Sequence, residues 1–216
     1  MQHRTRYIVF DGMDGSGKGT QMTLLKKKFG DTVVFTREPG GAPLAEEVRK
    51  LLRDNPLAAH STALFHFLGF WMAREESLVQ IIMPMLRSGK HVFSDRGDSA
   101  TFAFQLFGEE KKNELLEAFT LLRQLVFAKE RGRRYPDQYI VFDLPAEVAR
   151  SRALYGAGRS TNHFDEREIA YYERVREGFR SFERRAAVEF IDALQTPEEI
   201  HQDVMGILAS MGIEPG

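Results

Sequence analysis

Five short apolar runs recur along the chain, spaced so that each pair leaves room for a helix between them. They are Tyr7-Ile8-Val9-Phe10, Thr32-Val33-Val34-Phe35, His91-Val92-Phe93-Ser94, Tyr139-Ile140-Val141-Phe142 and Val188-Glu189-Phe190-Ile191. Their β-branched and aromatic content reads as strand. The segments between them carry helical patterns. One helix follows the first strand and ends near Phe29-Gly30; another runs from about Pro43 to Arg53 and stops at Asp54-Asn55-Pro56. A long helix runs from about Ser61 toward Leu86, bent or ended by Pro84. Residues 98–107 and 112–131 also read as helical. A helix begins near Ala146, a charged one spans Glu166 to about Arg185, and the last covers Pro197 to Met211. Such alternation predicts βαβ units: a five-stranded parallel sheet with helices on both faces and ligands at the carboxyl ends of the strands. No internal repeat or low-complexity linker interrupts the pattern, so residues 1–216 are expected to form one domain.

Two glycine-containing stretches break the periodicity. The first, Gly12-Met13-Asp14-Gly15-Ser16-Gly17-Lys18-Gly19-Thr20, joins the first strand to its helix. Strand, glycine-rich turn and helix form the setting of a phosphate-binding loop. Glycines let successive N–H groups turn inward toward phosphate oxygens, and the helix N-terminus adds its dipole. Lys18 would reach the β- and γ-phosphates. The usual pattern places Ser or Thr after the lysine to hold Mg²⁺; here that residue is Gly19, and Thr20 comes one position late. Mononucleotide kinases of the adenylate kinase kind share this Gly-Lys-Gly-Thr reading. The bland alternative is a glycine-rich turn with a solvated lysine. The second stretch, Tyr155-Gly156-Ala157-Gly158-Arg159-Ser160-Thr161-Asn162, reads as a mobile loop.

Charge and composition exclude several classes. The 216 residues carry 30 basic and 31 acidic side chains, a net charge of −1. That gives no electrostatic case for nucleic acid or an anionic membrane. The chain contains no cysteine, which excludes disulfides and thiolate metal sites and agrees with a cytoplasmic, reducing compartment. The apolar run behind the basic N-terminus is too short for a signal peptide, and the most apolar region, Ala63 to Ala73, is too short to span a membrane.

Polar residues cluster at the expected strand ends: Asp14 in the loop, Arg37-Glu38 after the second strand and Asp95-Arg96 after the third. Singly, each could be a solvated loop pair. Together they supply what phosphoryl transfer requires, cations to hold two anionic groups in line and an acid near a metal. Arginine suits this task because its planar fork binds two oxygens at once.

At these positions the chain resembles the thymidylate kinase family of P-loop nucleoside monophosphate kinases. Thr36-Arg37-Glu38-Pro39-Gly40-Gly41 resembles the family's Thr-Arg-Glu-Pro-Gly-Gly-Thr segment, with Ala42 where Thr is usual. Ser94-Asp95-Arg96-Gly97-Asp98-Ser99-Ala100-Thr101-Phe102-Ala103-Phe104-Gln105 resembles its Asp-Arg-Tyr segment. Pro136-Asp137, Asp143-Leu144-Pro145 and Glu173 to Phe179 match later parts in the same order, whereas Lys111–Arg134 matches least. The resemblance implies a three-layer P-loop NTPase α/β fold with a short lid at about 153–164. It also implies a reaction, ATP plus dTMP giving ADP plus dTDP with Mg²⁺, and a homodimer packed through helices.

Carried over position by position, Gly12, Asp14, Gly15, Ser16, Gly17, Lys18, Gly19 and Thr20 would form the ATP site. Arg37 and Arg96 would grip the dTMP phosphate, and Asp95 would serve the metal, through water. Phe70 would stack on thymine and Arg74 would bond its O4 edge. Thr101 and Gln105 would lie near the base, and Phe104 against the deoxyribose. Lys18, Asp14 and Arg96 would be catalytic, joined by the lid arginines Arg152 and Arg159 because the phosphate loop itself carries Gly15 and Ser16 rather than an arginine. Gly97, Ala100 and Asn162-His163 depart from the family pattern. Two alternatives stand beside this reading: a kinase for another deoxynucleoside monophosphate, and a non-catalytic nucleotide sensor.

Overall fold

The computed structural model describes residues 4–128, 132–155 and 167–216. Five parallel strands form one sheet in the order β2-β3-β1-β4-β5. They are β1 (Tyr7–Gly12), β2 (Val33–Arg37), β3 (His91–Asp95), β4 (Gln138–Asp143) and β5 (Val188–Asp192). Every expected strand is present, each reaching one or two residues further at its carboxyl end. The added residues, among them Gly12, Arg37, Asp95 and Asp143, are those that carry polar groups to the top of the sheet.

Alternation along β1 divides the interior in two. Ile8 and Phe10 face a core with Leu25, Phe29, Phe93 and Phe142. Tyr7 and Val9 face the opposite one, with Phe67, Trp71, Phe102, Phe119 and Phe182. This period of two is what a strand covered on both faces produces.

The helices are α1 (Lys18–Phe29), α2 (Pro43–Arg53), α3 (Ala63–Ser77), α4 (Met83–Arg87), α5 (Asp98–Thr101), α6 (Lys112–Val126), α7 (Ala146–Tyr155), α8 (Ile169–Phe182) and α9 (Pro197–Ser210). The long helix expected from Ser61 to Leu86 is divided. Between α3 and α4, Leu78–Ile82 form a wider helical turn in which the Met83 N–H reaches back to the Leu78 carbonyl. Proline lacks the N–H an α-helix needs and crowds the carbonyl four residues earlier. Widening the turn just before Pro84 relieves that crowding, so the chain stays helical. A second wide segment, Phe102–Gly108, continues α5. Helix α6 ends at Val126, short of the expected residue 131; residues 129–131 lie outside the described residues. The expected mobile loop lies outside them too from Gly156 onward.

Candidate active site

Strand register brings the polar ends together. Arg37 pairs in register with Asp95, and Phe10 with Asp95, so β2, β3 and β1 deliver their terminal side chains to one seam. Beyond β1 the chain turns through Gly12, Gly15 and Gly17, all at positive φ. At Gly15 the need for glycine is also steric, since a Cβ there would lie 2.2 Å from the Ala149 carbonyl oxygen of α7. At Gly17, the exposed residue before α1, no described atom lies within 4 Å of a Cβ, so the need for glycine there is its positive φ of 82°. Ser16 is buried and its Oγ has no hydrogen-bond partner among the described residues. An open cradle of turned backbone, a helix N-terminus and a buried hydroxyl fit a polyphosphate. Gly12 has a different part: it ends β1, and its carbonyl accepts from Arg96 Nη1 at 2.9 Å. Gly19 and Thr20 are exposed on the first turn of α1.

Lys18 lies in an ion pair with Asp95. Burial pulls the Lys18 amine below its ordinary pKa, with Asp95 opposing and Arg96 adding to the fall. Burial works against the Asp95 carboxylate as well, but Lys18 and Arg96 outweigh it and hold its pKa below the usual value. Arg96 sits at positive φ and meets Asp11 at 3.1 Å and Asp14 at 2.8 Å. Burial disfavours its charge, yet these carboxylates outweigh burial and raise its pKa. Its guanidinium also lies 5.0 Å from the centroid of the Phe104 ring. Asp11 is completely buried; burial raises its pKa, opposed by Arg96 and by the hydroxyl of Ser99, which donates to it at 2.7 Å.

Below this seam opens a cavity of about 260 Å³. Arg37, Phe70, Arg74, Arg96, Thr101, Phe104 and Gln105, the whole expected acceptor set, line it together with Asp14, Lys18 and Asp95. Phe70 is half-buried, with its ring 6.2 Å from that of His66. Arg74 is buried; its Nε donates to Glu38 at 2.6 Å, and its Nη2 donates to the Gly97 carbonyl and the Thr101 hydroxyl at 3.0 Å each. Nη1 has no partner among the described residues. Thr101 therefore both lines the cavity and orients Arg74. Arg37 is exposed and forks onto Glu46 at 3.1 and 2.8 Å.

A family model for thymidylate kinases matches residues 10–204. The chain belongs to the thymidylate kinase family. It is 35% identical over 205 residues to the thymidylate kinase of Pelotomaculum thermopropionicum, covering 93% of this chain and 91% of that protein. With the Albidiferax ferrireducens enzyme it shares 36% over 212 residues, 95% and 96% of the two chains. The crystal structure of the thymidylate kinase from Ehrlichia chaffeensis superposes with a TM-score of 0.72 at 30% identity, over 95% of this chain and 98% of that one. The P-loop fold and the phosphotransferase class expected from sequence follow from this membership.

Sequence marks Glu38 only as a strand-end neighbour of Arg37, and does not single out Arg49 and Arg53. Glu38 is buried and bridges Arg74 and the Tyr7 hydroxyl, which donates to it at 3.3 Å. Arg49 and Arg53 come from α2. Their spacing of four places both along one edge of the buried stripe of Ala45, Val48 and Leu52 on an amphipathic helix, which is the signal that marks them. At Gly97, one of the expected departures from the family pattern, a Cβ would press on the Val9 side chain at 2.9 Å.

Of the two lid candidates, Arg152 is among the described residues. Arg152 is on α7, away from the acceptor cavity, and donates to the Ala193 carbonyl at 2.9 Å. Arg159 lies outside the described residues.

Proposed function

We propose that the chain transfers the γ-phosphoryl group of ATP to dTMP, releasing ADP and dTDP. The observation that carries the acceptor assignment is Arg74. Three of its contacts fix the guanidinium, and its buried Nη1 has no partner among the described residues, beside Phe70 in the cavity wall. A buried donor left unpaired costs about 1–3 kcal/mol, which a base carbonyl would recover. The O4 of thymine is such an acceptor, and the half-buried Phe70 ring supplies a stacking face.

In this reading Lys18 and the loop amides hold the donor phosphates. Arg96 and Arg37 grip the acceptor phosphate, and Asp14 holds Arg96 in place near the sugar. Phe104 stands against the deoxyribose, beneath Arg96. No group of three or more His, Cys, Asp or Glu side chains able to hold a metal occurs among the described residues. The Asp95 carboxylate, which lines the cavity beside Lys18, fits as the protein partner, through water, of a Mg²⁺ carried chiefly by donor phosphates and water. When bound, the ion neutralises charge on the transferred group. Donor phosphates would compete with Asp95 for Lys18, freeing that carboxylate. The lid is assigned to about 153–164, with Arg152 and Arg159 as its cations.

We also assign a homodimer, in the cytoplasm. Leu64, Leu68, Met72 and Val79 form an exposed apolar stripe along α3 and the wide turn after it, and Leu121 and Leu125 are exposed on the adjoining α6. A contiguous apolar face of this kind marks an interaction surface. No helix among the described residues is long and apolar enough to cross a membrane.

The test is product identification. The purified chain with ATP, Mg²⁺ and dTMP should yield ADP and dTDP in equal amounts. Absence of dTDP would contradict the assignment. A monomeric mass in sedimentation equilibrium would contradict the dimer.

A further inference from the structure

Six cations line the acceptor cavity: Lys18, Arg37, Arg49, Arg53, Arg74 and Arg96. Four are neutralised by carboxylates, through Lys18–Asp95, Arg37–Glu46, Arg74–Glu38 and Arg96–Asp11/Asp14. The other two are neighbours on α2. Arg49 donates to the Pro39 carbonyl at 2.9 Å; among the described residues it forms no ion pair, and Arg53 forms neither a hydrogen bond nor an ion pair. The two guanidiniums feel each other: burial, then Arg53, then Arg37 lower the Arg49 pKa to about 10.

Like charges four apart on a helix are destabilising. The carboxyl end of α2 favours a cation at Arg53 through the helix dipole. That accounts for a charge in the last turn but not for its place in the cavity wall. The carboxylates among the causes of the Arg49 shift are Glu46 and Asp95, so Arg49 lies within electrostatic reach of the transfer seam. Arg53 is one turn further along α2. Excess positive charge in a concave, low-dielectric site concentrates anions there.

We propose that Arg53 is a specificity-determining residue that, one turn outside Arg49, recognises the dianionic phosphate of the entering acceptor and sets affinity for it without taking part in transfer. The ligand class is a phosphate monoester dianion. This rests on the acceptor reading above and adds a residue to it.

The experiment compares equilibrium binding of dTMP and of uncharged thymidine, by calorimetry, in wild type, Arg53→Leu and Arg53→Lys, alongside steady-state kinetics. Arg53→Leu should weaken dTMP binding and raise its KM by about 5- to 10-fold. Thymidine affinity and kcat should stay within about twofold, and Arg53→Lys should recover most of the loss. Raising ionic strength from about 0.05 to 0.5 M should weaken dTMP binding less in Arg53→Leu than in wild type. Unchanged dTMP affinity in Arg53→Leu, or an equal loss for thymidine, would overturn the inference while leaving the acceptor reading intact. A wild type that binds dTMP but fails to phosphorylate it would overturn the acceptor reading and leave the binding comparison valid.

Discussion

Arg74 and Glu38 form a buried ion pair, Nε to Oε2 at 2.6 Å, with both side chains almost wholly removed from solvent. Burial raises the Glu38 pKa, and the Arg74 charge opposes the rise. Breaking such a pair leaves an uncompensated buried charge, a cost of about 3–5 kcal/mol. Glu38→Ala should therefore lower stability by about that amount in urea unfolding. Glu38→Gln keeps the shape and a hydrogen bond but frees the guanidinium to move. It should fold and raise the dTMP KM more than it lowers kcat. A wild-type KM in Glu38→Gln would show that Glu38 does not orient Arg74.

The Lys18–Asp95 pair gives a metal prediction. Asp95→Asn should raise the Mg²⁺ concentration needed for half-maximal activity. Gly19→Ser meets no steric cost among the described residues, none of which has an atom within 4 Å of a Cβ there. It should leave the Mg²⁺ requirement little changed or lower it, because a hydroxyl then stands where P-loop enzymes usually have one. Mg²⁺ titrations that coincide for wild type and Asp95→Asn would contradict the role given to Asp95.

Each lid arginine carries its own prediction. Arg159→Ala should reduce kcat by about 10²-fold or more with little effect on KM, as for other donors aimed at charge developing in the transition state. Arg152→Ala should also reduce kcat, and in addition cost stability through its lost contact with the Ala193 carbonyl. Wild-type kcat in both variants would sink the assignment.

A pH effect on stability is expected at Asp143. Its carboxylate accepts from Arg176 at 2.8 and 2.9 Å and from Arg180 at 2.8 Å. Burial acts against it, but these arginines hold its pKa below the ordinary value. The unfolded chain then binds more protons between the folded pKa and about 3.9, so stability is complete above that range and is lost as pH falls through the folded pKa. Asp143→Asn should be less stable than wild type at pH 7, by about 1 kcal/mol. The gap should narrow as pH drops below about 4. A gap independent of pH would contradict this.

Much of the site was legible because it lies on motifs at strand ends. The loop from Gly12 to Thr20, Arg37 and Asp95-Arg96 are contiguous segments whose position follows once the strands are located. Phe70, Arg74 and Gln105 came from family resemblance, and the cavity gathers them. Arg49 and Arg53 were missed because a surface helix spaces its outward arginines just as it spaces ligand-binding ones; only tertiary placement tells the two apart. Glu38 was read as one half of a strand-end pair with Arg37. Its actual partner, Arg74, is 36 residues away, a contact no local pattern encodes. The wide turns at Leu78–Ile82 and Phe102–Gly108 were likewise hidden, since they keep the helical spacing of apolar residues almost unchanged.

Acceptor choice at Arg74 tests the central claim most directly. Arginine donates and cannot accept, so thymine and uracil satisfy it at position 4 while cytosine presents another donor. The measurement is kcat/KM for dTMP, dUMP, dCMP, dGMP and UMP in wild type and in Arg74→Ala. Wild type should prefer dTMP, with dUMP lower by about 10- to 200-fold, the range a single methyl group provides, and dCMP lower still. Ribonucleotides and purines should be poor substrates. Arg74→Ala should lose activity and, with it, most of the discrimination between dUMP and dCMP. Wild-type turnover of dCMP or dGMP as fast as dTMP, or unchanged discrimination in Arg74→Ala, would contradict the account.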